Sequence, residues 1–307
     1  MAKGRIGRYE EPARRAPERS VYTGRARRRR RRRGRGLLFA LAALVLASAA
    51  AFVVWHACAG PGAGRAQTEG HEAEQQESGS PAAGLAAPAD RRVVVAIDPG
   101  HGGVNPSIGA EDYGSESGGL RESEITLATA RALYSLLEAD GRFAPLLTAD
   151  GTAYLKPSER GAAAQAAGAE FLLSIHLNYD GSSDSSGFEC YAAPPRLATN
   201  ADSVRFGLLA ARAFSGLGLR LRGTTGVRYL YYGWNDEKLI YESTDATPRS
   251  EPTFTVLEAC GCPAVLCEEG FISSSGDMAL LAGEDGCQTA AELYYQCLCE
   301  YFGLEEP

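Results

Sequence analysis

The chain has 307 residues, 45% of them hydrophobic, and a formal net charge of −7. That length accommodates one domain of about 200 residues with about 100 left over, and so many apolar residues exclude a wholly disordered chain. The charge averages two unlike parts: 15 basic against three acidic residues in 1–36, and 16 against 35 in the remainder.

The basic part culminates in seven consecutive arginines, Arg27 to Arg33, shortly before the uncharged stretch Leu37 to Trp55, LLFALAALVLASAAAFVVW. As a helix this stretch is about 28 Å long, close to the hydrocarbon thickness of a bilayer. By the positive-inside rule, residues 1–36 read as a basic cytoplasmic tail and 37–59 as a transmembrane anchor or uncleaved signal. The rest of a single-pass chain then lies outside the cell membrane. Two alternatives stay open: secretion after cleavage at Ala57-Cys58-Ala59, and lipid modification of Cys58. An arginine arm for nucleic acid is disfavoured because the charge abuts the apolar segment, so no nucleic acid is expected as a partner. Residues 60–91 hold almost no large apolar side chains and many Gly, Ala, Pro, Glu and Gln, the composition of a flexible linker.

From 92 to 307 strands and helices alternate. The β-branched run in 92–97 reads as a buried strand ending in the turn signal Asp98-Pro99-Gly100. A helix is predicted over 123–139, with Ile125, Ala128, Ala132 and Leu136 on one face and Leu133 and Leu137 beside it. A strand at 143–148 and an alanine-rich helix at 158–167, entered through Pro157, follow. The run 170–175 reads as a second buried strand ending at His176, and 187–192 as another strand. An amphipathic helix covers 201–216. The stretch VRYLYYGWNDEKLIYE reads as a hairpin turning at 233–236. A last apolar strand covers 264–267 and a final helix 285–302. The alternation predicts an α/β fold: a single domain with a central, mostly parallel sheet flanked by helices, preceded by the one transmembrane helix.

Of the eight cysteines, Cys260/Cys262 and Cys297/Cys299 do not match structural zinc spacing. Most of the eight read as core thiols.

Only two of the four histidines, His101 and His176, fall in the 92–307 domain. Both stand at predicted strand ends, where functional side chains gather in open α/β sheets. Glu268 follows the strand 264–267, and Glu122 sits just ahead of the first long helix. Two imidazoles and a carboxylate, with one position open to water, make a catalytic zinc set. A further carboxylate can move the proton of that water. Each residue also has a plain reading: a structural histidine, a first-turn glutamate favoured by the helix dipole, an acid facing an unrelated cleft. Asp98 and Asn178 flank the candidates, either orienting an imidazole or capping a turn.

The stretches VVVAIDPGHGG, GLRESEITLA, LLSIHLN and PAVLCEEGF change the balance. In their order and approximate spacing they resemble the zinc-dependent N-acetylmuramoyl-L-alanine amidases, bacterial cell-wall amidases of the type 3 catalytic domain family. The resemblance covers about 92–228 and 253–303. It implies a single α/β zinc amidase catalytic domain that binds one Zn2+. Its activity would be hydrolysis of the amide between N-acetylmuramic acid and the L-alanine of the peptidoglycan stem peptide. Carried onto this sequence, His101, Glu122 and His176 are the implied zinc ligands and Glu268 the implied catalytic glutamate. Glu269 falls at a variable position, and strand alternation points it away from Glu268. The glycines around His101 are expected to clear space for substrate.

Two departures stand out. Ser274 replaces a frequent asparagine at the site rim. About 24 residues near 229–252 are inserted; their aromatic residues form either cross-strand pairs, the favoured reading, or a sugar-stacking wall. The expected partners are peptidoglycan and the membrane through the N-terminal helix, with a protein activator left open. The competing functions are a catalytically silent peptidoglycan-binding or regulatory relative, and a zinc hydrolase of another amide.

Overall fold

The computed structural model describes residues 91–305. The tail, anchor and linker expected over 1–36, 37–59 and 60–91 therefore lie outside the described residues, apart from Arg91. Among the described residues no helix is long and apolar enough to cross a membrane.

The domain opens with strand β1 (Val93–Pro99) and four two-residue ribbon strands, β2 (Val104–Asn105), β3 (Ala110–Glu111), β4 (Glu116–Ser117) and β5 (Leu120–Arg121). Helix α1 (Glu122–Asp140), β6 (Phe143–Leu147), α2 (Pro157–Ala166), β7 (Phe171–Asn178), β8 (Glu189–Ala192) and α3 (Asn200–Gly216) follow. The chain ends with β9 (Val227–Tyr232), β10 (Lys238–Glu242), α4 (Thr255–Ala259), β11 (Ala264–Phe271), α5 (Ser275–Leu281) and α6 (Gly283–Phe302).

Seven strands form one sheet in the order β10-β9-β8-β11-β7-β1-β6. β6, β1, β7 and β11 are parallel. β8 runs antiparallel to β11, β9 parallel to β8, and β10 antiparallel to β9. The sheet is thus mostly parallel, as its alternating sequence suggested, with β8 and β9 reversed. Both sheet faces are covered, which explains the near-continuous apolar runs of β1, β7 and β11. One face carries Ile97, Leu173 and Cys267 in the larger core cluster, where α1, α3 and α6 pack. The other carries Leu172, Tyr191, Leu230 and Leu266, packed with Val256 of α4 and Ala164 of α2. All seven cysteines among the described residues are buried thiols.

Two strands run further than their apolar runs suggest. β7 continues through His176 to Asn178 and β11 through Glu268 to Phe271, so both polar residues sit inside strands. Backbone pairing carries them: Glu268 is the register partner of His176, before an irregularity between Glu268 and Phe271.

The buried stripe of α1 is also rotated from the predicted one. Ile125, Thr126, Thr129, Ala130, Leu133 and Leu137 are buried, whereas Ala128 is exposed. Polar tethers set that rotation: the Thr126 hydroxyl donates to the Gly100 carbonyl at 3.0 Å, and Glu122 is fastened at the helix start. Gly141, at φ 76°, ends the helix in the left-handed conformation that glycine adopts without penalty.

The tyrosine-rich stretch is the β9–β10 hairpin at the sheet edge. Tyr229 and Tyr231 are buried, and the Tyr231 and Tyr241 rings meet edge-on at 5.9 Å. Cross-strand pairing therefore takes most of its aromatic residues; Trp234, at the turn, is 85% exposed. Ser274 is buried and caps α5 by accepting from the Asp277 N–H, rather than standing at a site rim.

Candidate active site

Three elements converge on one point: the loop after β1 brings His101, the first turn of α1 brings Glu122, and β7 brings His176. Their ligand atoms all lie within 4.8 Å of one another. Glu122 Oε1 is 3.3 Å from His101 Nε2 and 3.0 Å from His176 Nδ1. Ligands arranged tetrahedrally at ~2.0–2.1 Å from zinc stand about 3.3 Å apart, so this donor set fits such an ion.

The glutamate is held firmly. Its Oε1 accepts from the Leu177 N–H at 3.1 Å and its Oε2 from the Ser115 N–H at 2.8 Å, and the residue is buried. Burial alone would raise its pKa, but hydrogen bonds from His101 and His176 more than reverse that and hold it far below the usual carboxylate range. Burial would likewise lower His101, yet Glu122 and then Asp112 raise it to about 9. Negative charge thus gathers where imidazole lone pairs also point, an environment made for a cation.

Asp112 is the residue that sequence reasoning missed. Its Oδ1 stands 2.9 Å from His101 Nδ1 and accepts the Gly114 N–H at 3.2 Å. This turns His101 Nε2 toward Glu122, the arrangement that fixes a metal-ligating imidazole. The signal for it was the turn-forming Asn105-Pro106 and Gly109, which fold β3 back on β2 and bring Asp112 opposite Gly102 and Gly103.

Asp98 does neither of the jobs weighed for it. It is buried, accepts from the hydroxyls of Thr148 and Ser174, and pairs with Arg160 at 3.2 Å. Arg160 in turn donates to the carbonyls of Pro99 and His101, locking the loop from inside. That loop needs the lock, because His101 itself sits at φ 65°. Asn178 also stays off the imidazoles: its amide donates to Glu189 and its oxygen accepts from Tyr179 N–H.

The glycines clear space for the ligands themselves. A Cβ on Gly100 would stand 2.6 Å from the His176 ring, and one on Gly114 2.5 Å from the His101 ring.

Glu268 lines the same cleft, whose volume is about 520 Å³. On β11 it lies between His176 of β7 and Glu189 of β8, its register partners. Its Oε2 is buried without a hydrogen-bond partner. Burial, then the charges of Glu122 and Glu189, push its pKa well above the usual range. Glu269, next in line, faces the opposite, fully buried side, as strand alternation requires.

Two imidazoles and a carboxylate gathered at one edge of an α/β sheet, with a further carboxylate beside them, fit the class of a metal-assisted hydrolase. Known proteins agree. The profile of the N-acetylmuramoyl-L-alanine amidase family, Amidase_3, matches residues 95–300. An N-acetylmuramoyl-L-alanine amidase of Bacillus licheniformis, CwlM, is 30% identical over 219 residues, 70% of each chain. A sporulation-specific amidase of Bacillus subtilis is 29% identical over 218 residues, again 70% of each. The catalytic domain of the amidase CwlV from Bacillus (Paenibacillus) polymyxa superposes with a TM-score of 0.54 at 27% identity, covering 69% of this chain and 99% of that one. The chain belongs to the N-acetylmuramoyl-L-alanine amidase family, and is an enzyme of that class.

Proposed function

We propose that the chain is a zinc-dependent peptidoglycan hydrolase cleaving the amide between N-acetylmuramic acid and the L-alanine of the stem peptide. The observation that carries this reading is the convergence of His101, Glu122 and His176 beside Glu268 in one cleft. Zinc held by the three residues would supply Lewis acidity, acidifying a water and polarising the scissile carbonyl.

The rest is the work of the chain. Asp112 holds His101 with Nε2 inward, and the Leu177 and Ser115 amides hold both Glu122 oxygens. Glu268 is the general base: its carboxylate takes a proton from the attacking water and returns it to the leaving nitrogen of L-alanine. A catalytically silent relative would not need all four groups in register.

We also place the domain outside the cell membrane, tethered through residues 37–59 with 1–36 in the cytoplasm. The arginine run directly before an apolar segment supports this. Protease treatment of intact spheroplasts should then remove the domain and leave the tail.

The function is tested by incubating the purified full-length chain with peptidoglycan and analysing products by mass spectrometry. The reading requires release of stem peptides bearing a free L-alanine amine. Release of peptides cut elsewhere would replace it with hydrolysis of another amide.

A further inference from the structure

Beyond the metal residues and Glu268, the cleft runs over Leu266 to Tyr232, Asp236 and Lys238 of the inserted hairpin. Strand alternation puts the hairpin residues on the catalytic face. Lys238 is the register partner of Tyr232, and Arg228 that of Tyr191, which shares its side of β8 with Glu189, the partner of Glu268. The hairpin thus walls the end of the cleft away from the metal ligands.

Besides the imidazoles, two cationic side chains line this cleft, and they differ in one respect. Arg160 is buried and engaged by Asp98 and the loop carbonyls. Lys238 is exposed and makes no hydrogen bond or ion pair among the described residues, not even with neighbouring Asp236. Its charge nonetheless reaches Glu268. A free ammonium therefore lines a cleft whose acids include Asp112, Glu122, Asp236 and Glu268.

Resting on the amidase reading, we infer that Lys238 is a substrate-binding residue that pairs with a free carboxylate of the stem peptide and so fixes the direction in which the substrate lies. On a muramyl peptide the glycan is neutral and the lactyl carboxyl is consumed in the scissile amide. Every remaining anion belongs to the peptide. An ammonium at one end of the cleft assigns that end to the peptide and the metal end to the sugar. It also makes the enzyme sensitive to amidation of the second stem residue, which removes the nearest carboxylate. The hairpin then acts as a specificity element.

The test measures binding of L-alanyl-γ-D-glutamyl-L-lysinamide and of its glutamyl α-amide to the full-length enzyme, beside kcat/KM on muropeptides carrying each form. The unmodified enzyme should prefer the carboxylate form about fivefold, at the upper end for an ion pair near solvent. Lys238→Ala should abolish the preference, Lys238→Glu should reverse it, and Lys238→Arg should keep it. A lysine acting only through the field it puts on Glu268 would shift kcat for both substrates alike and leave the preference intact. Equal binding of both forms by the unmodified enzyme, or a preference that survives Lys238→Ala, would overturn the inference. Discrimination in binding without any release of stem peptide would instead sink the amidase reading and leave the carboxylate site standing.

Discussion

Glu268 and His176 are register partners on adjacent parallel strands, so an acid without a hydrogen bond on its inner oxygen is fixed beside an imidazole of the candidate metal site by backbone pairing alone. Strand placement explains how a base can stand ready without a network of side chains to hold it. Glu268→Gln keeps the size and shape but has no lone-pair oxygen of comparable basicity. The expected outcome is unchanged zinc content with kcat lowered by about 10²–10⁴. Zinc analysis paired with turnover checks it; retained turnover removes Glu268 from the mechanism.

Asp112 should matter through the metal and not through the fold. It fixes the His101 ring from a solvent-accessible ribbon, where little core depends on it. Asp112→Ala is expected to weaken zinc affinity about 10–100-fold. A competition titration against a chromogenic chelator measures it, with circular dichroism showing an unchanged fold. Unaltered affinity would make the Asp112 contact incidental.

Gly114→Ala is a small substitution with a large expected effect. The added methyl would press on the His101 ring and on Glu122 Oε2 at 2.6 Å, at a φ of +67° that disfavours any side chain. Zinc content should fall sharply. Gly109→Ala, with a like φ and open space around it, is the control: it should cost some stability but leave zinc bound.

Glu269 gives the stability a pH dependence of its own. Burial raises its pKa to about 8, against 4.5 for the ordinary group. Between those values the folded chain keeps a proton that the unfolded chain has lost, so its contribution is full below about 4.5 and is lost as pH rises toward 8. The slope is about 1.4 kcal/mol per pH unit. Glu269→Gln should therefore match the native enzyme near pH 4.5 and exceed it by up to about 4 kcal/mol near pH 8. Urea unfolding of both proteins across that range isolates the difference; a pH-independent gap would mean that Glu269 is not protonated in the fold.

The sequence made the scaffold and the four positions that meet in the cleft legible, because His101, Glu122, His176 and Glu268 each sit in a run with its own pattern. Strand lengths were harder. Apolar character stops at Ile175 and Cys267, but hydrogen bonding continues past both, since His176 and Glu268 face a cleft that needs no apolar side chain. Asp112 was hidden for a different reason: its place depends on how ribbon β2–β3 folds back, a tertiary fact that neither hydrophobic period records. The rotation of α1 was misjudged because Thr126 and Glu122, both polar, decide which face turns inward. Glu268 and Glu269 were told apart correctly by the simplest rule available, the period of two along a strand.

The central claim is that His101, Glu122 and His176 hold one zinc ion on which amide hydrolysis depends. The most direct measurement strips the purified full-length enzyme with a chelator, then adds zinc back in known amounts while following both bound metal and stem-peptide release. Turnover should be lost on stripping and recover to saturation at one zinc per chain, with His176→Ala neither binding that zinc nor recovering. Full hydrolysis by the stripped enzyme, or equal recovery in His176→Ala, would contradict it.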